Sequence, residues 1–351
     1  MLNLTKSKKI YLQYSFLLLL ICITVYLVST TLDITLIPTI IKLVDKKFIL
    51  IGLLLMIIYI LLESIIINIL INAIQKTEVK YLSLKIAMMG FYYNLVTPFA
   101  SGSQPMQIYA LNKYGLDLSK STATVINKTV LFQIVVTIYC AVIIFFNIEL
   151  LVNDLPSILI LISIGMIMNV VSLLGGILIV LSPNTMKNII KIGINILCKL
   201  KIFKSLDKKI YTINKFIDEY SYSIKLFIKN KKALCFSIIL TIIQLTIFFS
   251  ISYCIYKSFR LNGFNFFNML TLQVFLYMSV SPIPTPGNVG ANEIAFFTIF
   301  AKVFPKDIIG YSVFLYSIFA YYFLVIICGF FTIHTHYDMN KIVNKNKNYN
   351  I

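Results

Sequence analysis

Charge is scarce in this chain, and acidic charge is scarcer still. Only 13% of its 351 residues are Asp, Glu, Lys or Arg, and just 13 are acidic. Soluble domains carry about 25% charged residues. A hydrated surface for a fold of this length cannot be assembled from so few polar groups, which excludes a soluble enzyme. Lipid must solvate much of the chain instead. Arginine is almost missing: of 31 basic residues only Arg260 is one, the rest being lysine. No hydrophilic block is long enough to fold as a second domain. Residues 1–338 therefore read as a single integral membrane domain, followed by a short tail at 339–351.

Other absences narrow the chemistry. The six cysteines, at 22, 140, 198, 235, 254 and 328, form no C-x-x-C pair. A disulfide framework or zinc site is not expected, and they read as small apolar residues. His334 and His336 make an H-x-H with no third ligand nearby, which suits an interfacial pair rather than a metal centre. No carboxylate cluster accompanies them, so no catalytic residue is assigned. G-x-x-x-x-G-K-[ST] does not occur, so no nucleotide site is seen. No cofactor or metal is expected.

What the chain has in abundance is apolar sequence: 59% of it, with a mean hydropathy of +0.89 and a net charge of +18. The lysines sit in loops and tails between apolar segments, which fits anionic lipid headgroups on the cytoplasmic side. No basic-aromatic face or nucleic-acid motif accompanies them, so nucleic acid is not an expected partner. Apolar runs long enough to cross ~30 Å of hydrocarbon fall at 10–28, 48–71, 122–146, 156–181, 233–257, 265–283 and 308–333. The first follows Lys6, Lys8 and Lys9, exceeds a signal-peptide core and has no A-x-A-like site after it. It reads as an uncleaved helix with its N-terminus inside. The fold class is an all-α polytopic bundle of about seven to eight spans.

The loop at 184–232 holds twelve lysines against three acids and is placed in the cytoplasm by the positive-inside rule. Within it Leu206, Ile210, Ile213, Ile217, Tyr220, Ile224 and Phe227 recur at steps of four and three. That is one face of an amphipathic helix, lying on the headgroup layer, packed beneath the bundle or docking a partner. The stretch 147–156 has acids and no lysine, which suits the outside. Both termini inside demands an even number of crossings, and seven clear runs leave the parity unresolved.

Two apolar stretches are broken by proline and glycine. Residues 91–105 contain Thr97-Pro98 with Gly102 four residues after the proline. Residues 281–293 contain Thr285-Pro286 with Gly290 at the same spacing, 188 positions further on. Neither stretch can be a continuous helix. Broken backbone at membrane depth must be buried in protein or line a wet cavity, so each is a candidate re-entrant segment. Transporters place substrate sites at such points. Among intramembrane ionisable residues, Glu293 follows the second break, Lys128 lies in the 122–146 run and Glu63 in 48–71. A pairing of Glu293 with Lys128, a headgroup contact and proton coupling all remain open.

The pattern Asn94-x3-Pro98-x3-Gly102-x-Gln104-Pro105-Met106-Gln107, followed by Pro284-Thr285-Pro286-Gly287-x2-Gly290-x2-Glu293-x3-Phe297, resembles the two signatures of the lysylphosphatidylglycerol synthase transmembrane-region family, also described as flippase-like membrane proteins. The first signature departs from it at Ser103, where a second glycine is common. The resemblance implies an anionic or aminoacylated phospholipid as partner, moved to the outer leaflet of the cell membrane, with resistance to cationic antimicrobial peptides as the consequence. With the breaks and the intramembrane charges, a headgroup path is expected along Asn94, Pro98, Gly102, Gln104, Lys128, Pro286, Gly287, Gly290 and Glu293. Two-part members carry a C-terminal synthase domain that is not expected here, so phosphatidylglycerol lysyltransferase activity is the rival reading. A scaffold or transporter for polyprenyl-linked sugars is another. A separate synthase or glycosyltransferase partner and a homo-oligomer are left open.

Overall fold

The computed structural model describes residues 34–75, 77–199 and 207–348. The expected first helix at 10–28 and Leu206 lie outside the described residues. All regular structure among them is helical. A short helix α1 (Ile37–Leu43) leads into α2 (Lys46–Ile74), whose 29 residues reach ~43 Å. Asp45 starts α2 by accepting the Lys47 N–H at 3.0 Å. Along α2, Leu50, Leu54, Ile57, Leu61 and Ile65 form one exposed stripe, while Met56, Ile60, Glu63, Ile67 and Leu70 are buried. Large apolar side chains outside and a carboxylate inside are what a lipid solvent selects.

After α2 come α3 (Leu82–Val96) and α4 (Ser103–Lys113), separated by the first break. The long helix α5 (Leu118–Phe146) follows, then α6 (Ile148–Asp154) and α7 (Pro156–Leu181). The lysine-rich segment forms α8 (Pro183–Lys199) and α9 (Asp207–Lys229). Next are α10 (Lys231–Phe249) and α11 (Ile251–Ser258), which together make one span. The second break separates α12 (Phe266–Val280) from α13 (Ala291–Phe300). Finally α14 (Ile309–Ser317) continues through a π-turn at Ile318–Tyr322 into α15 (Phe323–Asn348).

Five of these stretches are long and apolar enough to cross a membrane: α2, α5, α7, α10 with α11, and α14 with α15. Contacts at their ends assign each to a face. The face carrying α8 and α9, the lysine face, holds the end of α7 and the start of α10. At the opposite, far face the Ser258 carbonyl accepts the Asp45 N–H at 2.7 Å, joining the end of α11 to the start of α2. Back at the lysine face Lys120 donates to Gln75 at 3.0 Å, joining the start of α5 to the end of α2.

The 265–283 run does not cross. Its helix is only 15 residues, Phe266–Val280, because Pro282, Pro284 and Pro286 withdraw backbone donors beyond it. Five spans lie among the described residues, and the parity left open in the sequence turns on residues 10–28, which lie outside them. The amphipathic stripe at 206–227 is realised by α9: Ile217, Ile224 and Phe227 are buried and Ile213 is partly buried. The helix packs beneath α5 and α7 and against α8. The side chains of Ile210 and Tyr220 lie outside the described set.

Candidate substrate path between two re-entrant hairpins

The first break is built by Thr97 and Pro98. Proline forces the residue before it out of the helical region, and Thr97 sits at φ −117°, ψ 143°. Its hydroxyl then bridges the break, donating to the Tyr93 carbonyl at 2.5 Å and accepting the Gly102 N–H at 2.9 Å. A Cβ at Gly102 would stand 2.7 Å from Thr97 Cγ2, so the turn closes only on glycine. The chain then doubles back. Gln107 on α4 is buried and donates to the Ile86 carbonyl on α3 at 3.1 Å, filling the space left by Gly90. Both ends of this unit lie at the lysine face, where Lys85 pairs with Asp338 of α15 at 2.6 Å. The segment 82–113 is a re-entrant hairpin.

The second break has the same plan with different parts. Thr285 is extended before Pro286, and Gly287, Asn288 and Gly290 take left-handed φ values of 58°, 55° and 82°. Here Glu293 closes the turn: Oε2 accepts the Gly290 N–H at 2.7 Å and Oε1 accepts from Ser317 Oγ at 2.6 Å. The carboxylate caps α13 and ties it to α14. Lys302, just beyond α13, pairs at 2.6 Å with Asp154 at the end of α6, which sets the return of this hairpin at the far face. Phe304 packs there on Tyr256 and Phe259. The segment 266–300 is a re-entrant hairpin entering from the face opposite to the first.

The two tips meet. The 3₁₀ turns Pro98–Ala100 and Pro286–Asn288 are in contact, and Gly287 lies against the Leu95 carbonyl and the Tyr321 ring. Each inward helix, α3 and α12, has 15 residues and so reaches ~22 Å from its own face, past the middle of a ~30 Å core. Asn94, Pro98, Ser101, Gln104 and Gly290 are exposed at this level. A tether holds the second tip: Asn169 of α7 donates to Ser281 Oγ at 3.2 Å and accepts from Gln133 of α5 at 3.0 Å.

Eight of the nine residues read from the sequence therefore fall on these two tips. Lys128 does not pair with Glu293. Its ammonium is 2.5 Å from Glu63 Oε1, and Gln244 of α10 donates to Glu63 Oε2 at 3.1 Å, so this charge pair joins α2, α5 and α10. The histidines separate as well: His336 bonds Tyr93 Oη at 3.0 Å, and His334 lies 3.5 Å from Asp338. An open cleft of about 370 Å³, lined by Asn68, Asn72, Asn230 and Lys232, lies at the lysine face between α2 and α10, away from the tips. Sequence reading missed Ser317 and Tyr321, which sit in an apolar helix without any motif. It passed over the two threonine hydroxyls, although Thr-Pro stands in both signatures.

A helical bundle with five long apolar helices and two broken hairpins whose tips touch is a polytopic membrane protein. The family model described as "Lysylphosphatidylglycerol synthase TM region" matches residues 14–328, and the chain belongs to that family. No curated protein and no solved structure matches it.

Proposed function

We propose that this protein moves the headgroup of an anionic or aminoacylated phospholipid across the membrane along the junction of its two hairpins. The observation that supports this reading is the row of exposed polar groups at mid-depth. Asn94, Ser101 and Gln104 stand where hydrocarbon would otherwise surround them. An uncompensated polar group in hydrocarbon is costly. A headgroup sliding past the tips, with its acyl tails left in lipid, satisfies these groups in transit. The family description supplies the lipid class, a lysylated phosphatidylglycerol or its precursor. The lysine face is then the cytoplasmic one, and the cell membrane the site of action. No nucleotide motif accompanies the path, so an ion gradient or the lipid gradient supplies the direction.

The test is reconstitution into vesicles containing fluorescent phosphatidylglycerol, with leaflet exchange followed by quenching of the outer leaflet. Wild type should raise the exchange rate at least about tenfold over empty vesicles, a barrier change of ~1.4 kcal/mol. The double variant Asn94→Leu with Gln104→Leu should return it to background. Exchange equal to empty vesicles for the wild type, with both phosphatidylglycerol and its lysylated form, removes the reading.

A further inference from the structure

Two buried hydroxyls at the hairpin junction have no partner. Tyr321 is 2% exposed and Thr285 is partly buried, and neither Tyr321 Oη nor Thr285 Oγ1 meets a donor or acceptor or reaches solvent. Buried polar atoms without partners are uncommon and ask for an explanation, a bound ion or water among them. The Tyr321 ring lies against Gly287, and Thr285 stands two residues before it. A Cβ at Gly287 would strike the Tyr321 ring and lie 3.0 Å from the Leu95 carbonyl oxygen. Leu95 is in the last turn of α3, where the final carbonyls have no intrahelical donors and the helix dipole is negative. The Leu95 carbonyl oxygen and the Tyr321 ring thus lie on either hand of Gly287 where one helix ends, and two unpartnered hydroxyls belong to the same junction.

The charge at this place has one sign. Glu293 is within electrostatic reach of Tyr321 and Tyr316. None of the ion pairs found among the described residues includes Glu293. A carboxylate without a basic partner, beside the negative end of α3, disfavours a phosphate and favours a cation. The donors are oxygens, with no imidazole or thiolate, which is unsuited to a transition metal. One carboxylate is also too few for a calcium cage.

We propose that the hairpin junction is a monovalent-cation site. The Leu95 carbonyl, Thr285 Oγ1 and Tyr321 Oη are its ligands, and Glu293 supplies the balancing charge. Hard oxygen ligands of this kind accept an alkali ion or a primary ammonium group equally well. The cation is therefore either a free ion, coupling its gradient to the hairpins, or the ammonium of an aminoacylated headgroup. The second source rests on the translocation reading; the first does not. The site also accounts for the left-handed glycine: any side chain at 287 would occupy the space beside the ligands.

The experiment is thermal unfolding of the purified full chain in detergent, in choline chloride or at equal ionic strength in NaCl, KCl or methylammonium chloride. A ligand that binds only the folded state raises the unfolding temperature. Sodium, potassium or methylammonium should raise it by about 2–4 °C over choline. Tyr321→Phe and Thr285→Val should each fold as well as wild type in choline, because deleting an unpaired buried hydroxyl removes a burial penalty. Both should lose the cation-dependent rise. A rise with an alkali ion assigns a free ion, and a rise with methylammonium alone assigns a headgroup amine. No rise with any of the three, or an undiminished rise in both variants, overturns the site. Cation binding without lipid exchange would overturn the translocation reading and leave this one standing.

Discussion

Lys128 and Glu63 meet ten residues into α5, ~15 Å from its start, where a lone charge is expensive. The Glu63 side chain is only 6% exposed, and Gln244 donates to its second oxygen and to the Tyr59 carbonyl at 3.3 Å. Such a pair does not guarantee stability over an apolar replacement, but breaking it on one side strands the other charge. Lys128→Met should therefore destabilise the fold by about 3–5 kcal/mol, and Glu63→Gln with Lys128→Met by clearly less. Chemical unfolding in detergent measures both. A double variant as unstable as the single one would mean that the ammonium acts through something other than Glu63. The sequence leaves Lys128 open to a pairing with Glu293 or a headgroup contact, because helix phase alone does not say which carboxylate faces it. The partner came from α2, 65 positions back, and no local pattern links the two.

Packing of whole elements depends on a few close approaches, and Gly165 makes the closest between α7 and the second hairpin. A Cβ there would collide with the Met278 carbonyl oxygen and lie 2.9 Å from the Met278 carbonyl carbon, near the end of α12. Backbone cannot swing aside as a side-chain tip can. One turn on, Asn169 holds Ser281, so the same face of α7 sets both the depth and the rotation of the tip. Gly165→Ala should cost about 1–3 kcal/mol through overpacking. Gly175→Ala, on the same helix with nothing within 4 Å, should be neutral or slightly stabilising. Unfolding temperatures of the two variants give the comparison, and equal effects would show that α7 and α12 do not meet as described. At this scale the sequence was legible where chemistry is local. Proline and glycine placed both breaks, and the four-and-three stripe placed α9. It was misleading at 265–283, where the apolar run continues through Ser281 and hides the end of α12. It was silent on Tyr321, which the π-turn at Ile318–Tyr322 shifts off the regular helical register.

The two hairpins have opposite entry faces, and that relation belongs to the molecule as a whole. Hairpin 82–113 is anchored at the lysine face by Lys85 with Asp338; hairpin 266–300 is anchored at the far face by Lys302 with Asp154. On the proposed translocation reading, a path past the touching tips opens toward one face by displacing one hairpin and toward the other by displacing its counterpart. Neither movement needs the five spanning helices to part. Labelling of single cysteines in a background without the six native ones tests the arrangement directly. Glu78→Cys and Asp117→Cys, before and after the first hairpin, should both react with a membrane-impermeant maleimide from the same side as Lys232→Cys at the start of α10. Lys306→Cys, beyond the second hairpin, should react from the side that labels Glu149→Cys. All five positions are exposed. Had α3 and α4 crossed as one span, Glu78 would label with Glu149 and opposite to Asp117, and the tips could not meet. Labelling of Glu78, Asp117 and Lys232 together, and of Lys306 from the other side, is the pattern that two opposed half-depth hairpins require.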